Sequence, residues 1–589
     1  MIHAVDTSAQ PARGTAAKRL EPEPIGALTW LLVAVALVPI VVAIVRVLTG
    51  PAAGFHATSD NALNELLVRD VGRHPVLLGP YSRDAWSHPG PLFYYVSAIP
   101  YRLLGSRSSA LLADALIING LAIGVTITVA KRWGGLVFAI PVVLLEALLI
   151  TSLPLGFLED PWNPFVTVLP FGAFLMVAWA ATCGDRWAYP VAALIGTFCV
   201  QTHVGYTSLV VAVLAWCGWR AWRDRDTNGL VGWWWAAGTL GLLWFAPLVE
   251  QLIHYPGNFR RTFHYFRTTT EPAHSISDGV KVIAAQFSLI PDWLVGLRGV
   301  SPFSGEPAAL DSTPVPVLLV PIGVVVSLVI RSDDRRKRRL VAVLLIPLVV
   351  GVVTLAQTVG PMYEYRLRWI WVLAGLCVTF TIAHAAQMLG HHTTRNRGRP
   401  VLVVCVAATV VFGAFGVARV TSYERPDAGG TKTLSALSTA VLRQLPDRPG
   451  VVVLNAKTLL TAKYLAGLVL AMEQAGVRVK IHNGSPLRES FSDYRRYDHE
   501  PLRARLLIAS NGEIEAAAAR SGARPIAYVS SISRGRRASA LRAFNRLIAR
   551  GVTGYDRRLA ELSKALVATA VFSLPISAGP RPAQTHSRP

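Results

Sequence analysis

The stretch FHATSDNALNELLVRDVGRHPVLLGPYSRDAWSHPGPLFYY, residues 55–95, organises the rest of this chain. It follows the first long apolar run and is too polar to lie in lipid, where every polar group needs a partner. Four carboxylates and three histidines fall within it, and prolines and aromatic residues then return the chain to the membrane interface. An open loop does not need this density of ionisable and aromatic groups. We therefore interpret the stretch as the wall of a reaction site.

The composition defines the broad class of the protein. The chain has 589 residues, of which only 16% are charged, and its mean hydropathy is +0.41. Its apolar runs approach the ~20 residues that a helix needs to cross a bilayer. We predict a polytopic α-helical membrane protein with about eleven spans, near 27–48, 109–130, 136–153, 165–182, 187–203, 206–219, 231–253, 314–330, 340–357, 369–390 and 400–419.

Basic residues orient these spans. Short loops rich in Lys and Arg face the cytoplasm, and five basic segments fall on one side if the spans alternate. They are Lys18–Arg19, Lys131–Arg132, Arg220–Arg225, Arg331–Arg339 and Thr393–Arg399. The N-terminus is therefore predicted to be cytoplasmic, and the C-terminal part to lie outside the cell membrane. Because topology accounts for much of the net charge of +23, that charge does not indicate nucleic-acid binding.

Three domains follow from this layout. Residues 1–26 are predicted to be a disordered cytoplasmic leader. Residues 27–420 form the transmembrane domain, and residues 421–589 form an extracytoplasmic α/β domain with a disordered tail. Strand and helix patterns alternate in that last domain, which predicts a largely parallel sheet; its late apolar run, 565–576, is a strand or an interfacial helix. The outer loops of the transmembrane domain are 49–108, 154–164, 254–313 and 358–368.

Asp60 is the first candidate for chemistry. It lies about ten residues after the first span, in the same loop as the prolines and aromatic residues that follow. The alternative is a structural role as the N-cap of a loop helix, since Asp is a favoured cap. Asp70 and Asp84 lie in the same loop. We expect replacement of either by Asn to reduce activity less than replacement of Asp60 by Asn does.

A second acidic loop, LEDPWNP, lies on the same side of the membrane. It places Glu159 and Asp160 next to Trp162 and Asn163. Carboxylates from two loops could divide acid and base roles or share a divalent cation, Mg or Mn, held by Asp160. The alternative is an Asx-type turn that begins the next span.

Basic and aromatic groups on this side are candidates for binding a phosphate. Arginine binds phosphate through a planar two-pronged guanidinium, and an imidazole can donate a hydrogen bond to it. Arginines at an outer membrane edge oppose the positive-inside trend, although snorkelling towards water is their alternative role. The candidates are His88 and Tyr94 in the first loop, His203 in QTHVGY, Arg260 and Arg261 in NFRR, and Arg366 and Arg368 in YEYRLRW.

These residues resemble the GT-C superfamily of membrane glycosyltransferases, of the actinobacterial type. The likeness rests on Ser59-Asp60, on HPGPLFYY (residues 88–95), on Glu159-Asp160 and on the soluble domain after the last span. Relatives of this layout include protein O-mannosyltransferases, lipid A aminoarabinose transferases and mycobacterial arabinofuranosyl- and mannosyltransferases. Gly90 stands where that superfamily usually has a second proline.

The resemblance implies an inverting transfer of a sugar from a polyprenyl-phosphate donor. The acceptor would be an envelope glycan, lipid or protein on the outer face of the cell membrane. Asp60 would be the general base, and Arg366, Arg368 or His88 would meet the donor phosphate. A lipid-linked sugar flippase or transporter and a non-catalytic envelope assembly protein are the alternatives.

Overall fold

The computed structural model describes residues 21–576, with gaps at 83, 154, 225–226, 297–313, 393–397, 424–427, 512, 531–535, 537–538, 541, 544–545 and 547–567. Most of the predicted leader, the predicted disordered tail and the end of the outer loop 254–313 lie outside the described residues.

The first part of the chain is helical. In chain order, its helices are α1 Ala27–Thr49, α2 Ser59–Asp70, α3 Leu92–Leu103, α4 Ser108–Gly134, α5 Leu136–Ser152, α6 Leu155–Leu158, α7 Asn163–Val166, α8 Val168–Thr182, α9 Ala188–Thr202, α10 Thr207–Arg223, α11 Thr227–Leu243, α12 Phe245–Ile253, α13 Asn258–Thr268, α14 Ile276–Ala285, α15 Asp292–Val295, α16 Leu319–Arg331, α17 Arg335–Ala356, α18 Trp369–His392 and α19 Gly398–Ser422.

The predicted spans correspond to helices of this bundle. Among the described residues, 7 helices are long and apolar enough to cross a membrane by themselves, and α11 with α12 forms a bent pair that passes the same test together. The shorter apolar helices α5, α9 and α16 occupy the remaining predicted spans. The stretch Asn163–Thr182, which is α7 and α8, is buried along its whole length, so it forms the centre of the bundle. The prediction of a polytopic helical membrane protein is confirmed.

The bend of 41° between α11 and α12 has a local cause. Pro247 has no N–H with which to continue the helical ladder to the carbonyl of Leu243. The side chain of Gln201 donates to that carbonyl instead, at 2.8 Å, and its Oε1 accepts from the backbone of Leu92 at 3.1 Å. A Cβ on Gly90 would lie 2.4 Å from the Gln201 side chain. Glycine at this position therefore lets the first outer loop pack against the end of α9.

Basic loops gather at one end of the bundle. Lys131 pairs with Glu23 in the segment before α1, and Arg336 donates to the backbone of Glu21 at 2.5 Å. Arg339 pairs with Asp224 at 2.6 Å. These contacts place three of the predicted cytoplasmic segments on one face, as the alternation of spans requires. The compartment that this face borders stays a prediction.

The C-terminal domain is an α/β unit. Its elements are α20 Ala428–Gln444, β1 Val451–Ala456, α21 Leu459–Gln474, β2 Val479–Ile481, β3 Leu502–Ser510, α22 Glu513–Ala518, β4 Arg524–Ser530 and β5 Ala568–Leu574. The strand order is β2-β1-β3-β5-β4. β1 is parallel to both of its neighbours, whereas β5 is antiparallel to β3 and to β4.

The prediction of a largely parallel sheet is therefore wrong, because the sheet is mixed. The antiparallel pairs both involve β5, which lies in the late apolar run 565–576 and enters the sheet between β3 and β4. Residues 568–572 of β5 are buried, as expected for an interior strand whose two faces are both covered.

The C-terminal domain docks on the helix that follows Asp60. Helix α21 packs along α2, and a Cβ on Gly467 would lie 2.7 Å from the carbonyl of Ala57. Arg495 makes a buried ion pair with Asp70 at 2.6 Å. The domain thus lies on the same face of the bundle as the first loop, opposite the basic face.

Candidate active site

Asp60 lies in the first turn of α2, where the positive end of the helix dipole favours a carboxylate. It is not the N-cap: that position is Thr58, which makes no capping hydrogen bond through its side chain. The prediction that Asp60 could be the N-cap of this helix is therefore wrong. Its carboxylate is exposed and accepts a hydrogen bond from the indole N–H of Trp162 at 2.9 Å. The first and second outer loops meet at this contact.

The second loop holds Trp162 in place through an Asx turn. Asp160 Oδ1 accepts from the backbone N–H of Trp162 at 3.0 Å, as the structural alternative for this loop predicts. Asn64 of α2 donates to the carbonyl of Pro161 at 3.3 Å and accepts from the hydroxyl of Tyr94 at 3.1 Å. Tyr94 therefore supports the contact between the two loops through Asn64. Burial, and after it the charge of Asp60, raises the pKa of the Tyr94 hydroxyl well above its usual range.

His88 is a junction between three outer loops. The backbone N–H of Val204 donates to His88 Nδ1 at 3.1 Å, so that nitrogen carries no proton. The other ring nitrogen of His88, Nε2, lies 2.8 Å from the side-chain amide nitrogen Nδ2 of Asn163. Burial, with the nearby His203 and Arg366, holds the pKa of His88 well below its usual range. Both ring nitrogens are thus engaged within the protein, which favours a positioning role over phosphate binding.

His203 and Arg366 lie beside this junction. The His203 ring stacks on His88 with centroids 5.0 Å apart, and its Nδ1 accepts from the backbone of Gly205 at 3.2 Å. The charge of Arg366 acts on both histidines and, after burial, contributes to lowering the pKa of His88. The histidines and Arg366 therefore belong to one neighbourhood.

The two arginines of YEYRLRW differ in their surroundings. Arg366 is half-buried and lies over the rings of Tyr363 and Tyr365, 5.2 Å and 5.6 Å from their centroids. The Tyr365 ring in turn contacts Trp162, with centroids 4.7 Å apart. Arg366, Tyr365, Trp162 and Asp60 thus form a continuous row of contacts, which we call the Asp60–Arg366 row.

Arg368 has a mainly internal role in this structure. Its side chain is buried, pairs with Glu364 at 2.9 Å and lies 4.2 Å from the ring centroid of Trp371. Burial lowers its pKa, and Glu364 opposes that shift. This pairing fixes the segment that carries Arg366.

Arg260 and Arg261 lie elsewhere. They begin α13 and line a cleft of about 1270 Å³ between the first loop, α12–α13 and the C-terminal domain. Neither the Asp60–Arg366 row nor Arg368 lines this cleft. The structure therefore divides the arginines predicted to bind phosphate into two separate groups.

A divalent cation held by Asp160 would need several further oxygen ligands around it. Among the described residues, no group of three His, Cys, Asp or Glu side chains could hold a metal ion. One oxygen of Asp160 is engaged in the Asx turn, and Glu159 and Asp160 are both buried. Since the residues around Asp160 do not fit a divalent cation, we derive no chemical step through one.

Two contributors escaped the sequence-based search. Gln201 and Tyr365 lie in the stretches QTHVGY and YEYRLRW, which the sequence singles out for a histidine and for arginines. The only indication of Gln201 and Tyr365 in the sequence is that an amide and an aromatic side chain lie at the outer end of a span. A single sequence does not indicate which of the side chains there faces the site.

Solved structures of other proteins are similar to the overall fold of this chain. The structure of ArnT from Cupriavidus metallidurans bound to undecaprenyl phosphate matches with a TM-score of 0.52 and 15% identity, covering 85% of this chain and 97% of that chain. Apo ArnT from the same organism matches with a TM-score of 0.48 and 14% identity, over 85% and 96%. The apo oligosaccharyltransferase of Archaeoglobus fulgidus matches at 0.37 and 12%, over 75% and 64%. No family model and no curated protein sequence matches the chain.

The first of these likenesses establishes the fold. It spans nearly the whole of ArnT and most of this chain, so the chain is a polytopic membrane protein with the fold of ArnT. The fold that the sequence resemblance implies is confirmed.

Proposed function

We propose that the protein transfers a sugar from a polyprenyl-phosphate donor to an acceptor hydroxyl on the outer face of the cell membrane. The observation that carries the proposal is the Asp60–Arg366 row. It holds a carboxylate at one end and a guanidinium at the other, on the loop face of a GT-C fold. ArnT of this fold binds undecaprenyl phosphate, which supports a polyprenyl-phosphate donor for this chain.

Asp60 is the general base in this proposal. Its exposed carboxylate can accept the proton of the acceptor hydroxyl as that oxygen attacks the anomeric carbon. The Trp162 indole N–H, 2.9 Å from Oδ2, fixes the direction of the carboxylate. Because the acceptor oxygen displaces the phosphate in a single step, the transfer inverts the anomeric configuration.

Arg366 stabilises the leaving group. As the glycosidic bond breaks, negative charge grows on the polyprenyl phosphate, and a cation already aimed at that charge lowers the barrier. The rings of Tyr363 and Tyr365 hold Arg366, and Arg368 anchors its segment through Glu364. His88 and His203 support the wall beside it. The lipid tail of the donor would lie among the membrane helices.

A flippase for lipid-linked sugars is the second candidate. Transporters usually place ionisable groups near the membrane midplane, between repeated halves. Here the polar row lies in loops on one face of the bundle, which favours chemistry at that face over passage through the membrane.

Radiolabelled polyprenyl-phosphate sugar, reconstituted with the purified protein in liposomes, separates these functions. We expect label to move from the lipid to an added acceptor, with inversion at the anomeric carbon seen by NMR. Scrambling of the labelled lipid between leaflets without transfer would support the flippase, and neither activity would support an assembly protein.

A further inference from the structure

The cleft that contains Arg260 and Arg261 is separate from the Asp60–Arg366 row, and its walls come from two domains. One wall is the end of the first loop, including Tyr81 and Trp86, and the second is α12–α13. The third wall is the segment 489–496 of the C-terminal domain. At about 1270 Å³, the cleft is larger than the ~300–1,000 Å³ of ordinary small-molecule sites, so it suits an extended ligand.

The chemistry of the walls favours a saccharide. Rings of Tyr81, Trp86, Tyr265 and Tyr494 line the cleft, and aromatic rings can pack against the C–H faces of sugars while their polar edges bond to hydroxyls. Trp86 and Tyr265 lie 6.2 Å apart between centroids.

Two guanidinium groups are available to such a ligand. Arg260 donates to the Tyr255 hydroxyl at 3.1 Å, and Arg261 donates to the Pro256 carbonyl at 2.9 Å. In the part of the chain that the structure describes, neither arginine forms an ion pair with a carboxylate. Each keeps further N–H donors that can bond to sugar hydroxyls or to an acidic substituent.

The cleft connects with the proposed site of transfer through direct contacts. Trp86 meets His88 edge-on with centroids 5.3 Å apart, and His88 contacts Asn163, the neighbour of Trp162. Leu67 of α2 also lines the cleft; it lies two turns after Asp60, or ~10 Å along the helix. A chain lying in the cleft could therefore present its end near the carboxylate of Asp60.

We propose that this cleft is an acceptor subsite that binds a saccharide chain, with the C-terminal domain supplying one of its walls. The proposal rests on the proposed function, since it identifies the acceptor of that transfer as a glycan. The glycan can arrive as a free chain or as the headgroup of a glycolipid, and both present the same hydroxyl-bearing surface to Tyr265 and Arg261.

Binding of defined saccharides tests the subsite without relying on turnover. The Asp60→Asn protein in lipid nanodiscs would be applied to an array of linear hexose and pentose oligosaccharides, neutral and acidic. The best-bound saccharide would also be offered as a synthetic glycolipid in the nanodisc. We expect Arg261→Ala and Tyr265→Leu each to weaken binding about tenfold, which corresponds to about 1.4 kcal/mol.

Arg267→Ala is the matched control. Arg267 lies on the same helix but does not line the cleft, and it sits over the exposed ring of Phe263. Its loss should leave binding unchanged. Binding of the glycolipid alone assigns the acceptor to the membrane, whereas binding of both forms assigns recognition to the saccharide itself.

Two outcomes would overturn the subsite. One is that no saccharide binds in either form, and the other is that the cleft variants bind as the Arg267 variant does. These results are distinct from failure of the proposed function. If glycans bind through the cleft but wild-type protein transfers no sugar, the subsite stands and the transferase proposal falls.

Discussion

Replacing Asp70 with Asn should loosen the C-terminal domain from the membrane part of the protein. Arg495 binds Asp70 through two hydrogen bonds of 2.6 Å and 2.8 Å, and the side chains are only 1% and 3% exposed. Tyr494 and Ser492 donate to the same carboxylate at 2.6 Å and 2.9 Å. Four donors thus converge on Asp70.

An amide cannot satisfy this arrangement. Asn has one acceptor oxygen, and its NH₂ group would face donors that have lost their partner. Removing one member of a buried ion pair costs about 3–5 kcal/mol, because the remaining charge stays buried without compensation. Glu473 still pairs with Arg495 at 2.7 Å, so we expect the lower end, about 3 kcal/mol, or roughly a hundredfold shift towards the undocked state.

Hydrogen exchange measured by mass spectrometry follows this undocking directly. Exchange in α2 and in segment 488–496 should accelerate by about that factor in Asp70→Asn, because local opening sets the exchange rate. Asp493→Asn is the control: Asp493 is 73% exposed in its pair with Arg496, and such surface pairs contribute about 0–1 kcal/mol. Equal exchange in both variants would refute the coupling.

Three further predictions follow. Burial raises the pKa of Glu65 to about 7 from 4.5. Between these two values the folded state binds more protons than the unfolded state, so the stability of the fold should decrease as pH rises through this window. Thermal unfolding compared at about pH 5 and about pH 8 should show this decrease in the wild type and not in Glu65→Gln. Arg366→Lys keeps the charge but loses the planar guanidinium, so donor affinity should drop by about 1–3 kcal/mol. Arg368→Lys should act mainly by loosening the segment that carries Arg366. Equal donor binding by the wild type and Arg366→Lys would indicate that Arg366 only extends its side chain towards water. A periplasm-active reporter fused after Ser422 should be active, and activity of only a cytoplasmic reporter would reverse the predicted orientation.

The sequence predicts the membrane part well because its signals are local. Each span is an apolar run of its own, and basic loops such as 331–339 mark one face without reference to distant residues. The candidate site is outlined for the same reason, since Asp60 and Trp162 lie in short polar loops between spans. That they meet through a 2.9 Å hydrogen bond is a matter of helix packing, which a single sequence does not specify.

The features that could not be predicted from the sequence depend on contacts between residues far apart in the chain. Asp70 and Arg495 are 425 residues apart, and the sequence around either residue does not indicate that it pairs with the other. Strand β5 enters the sheet between β3 and β4, and an apolar run does not indicate its neighbours or its direction. The orientation of His88 depends on a backbone N–H of Val204, a donor that every residue except proline possesses.

Transfer by the Asp60→Asn enzyme tests the central claim most directly. Because Asp60 is not a helix cap, the amide should leave folding and membrane insertion intact, and Asn can still accept from the Trp162 indole. It cannot take the proton of the acceptor, a step that typically contributes ~10²–10⁴-fold. With radiolabelled polyprenyl-phosphate sugar in liposomes, we predict that transfer falls by about that factor while donor binding is retained. Transfer at the wild-type rate would contradict the account and move the search for the base to Glu159 and Asp160.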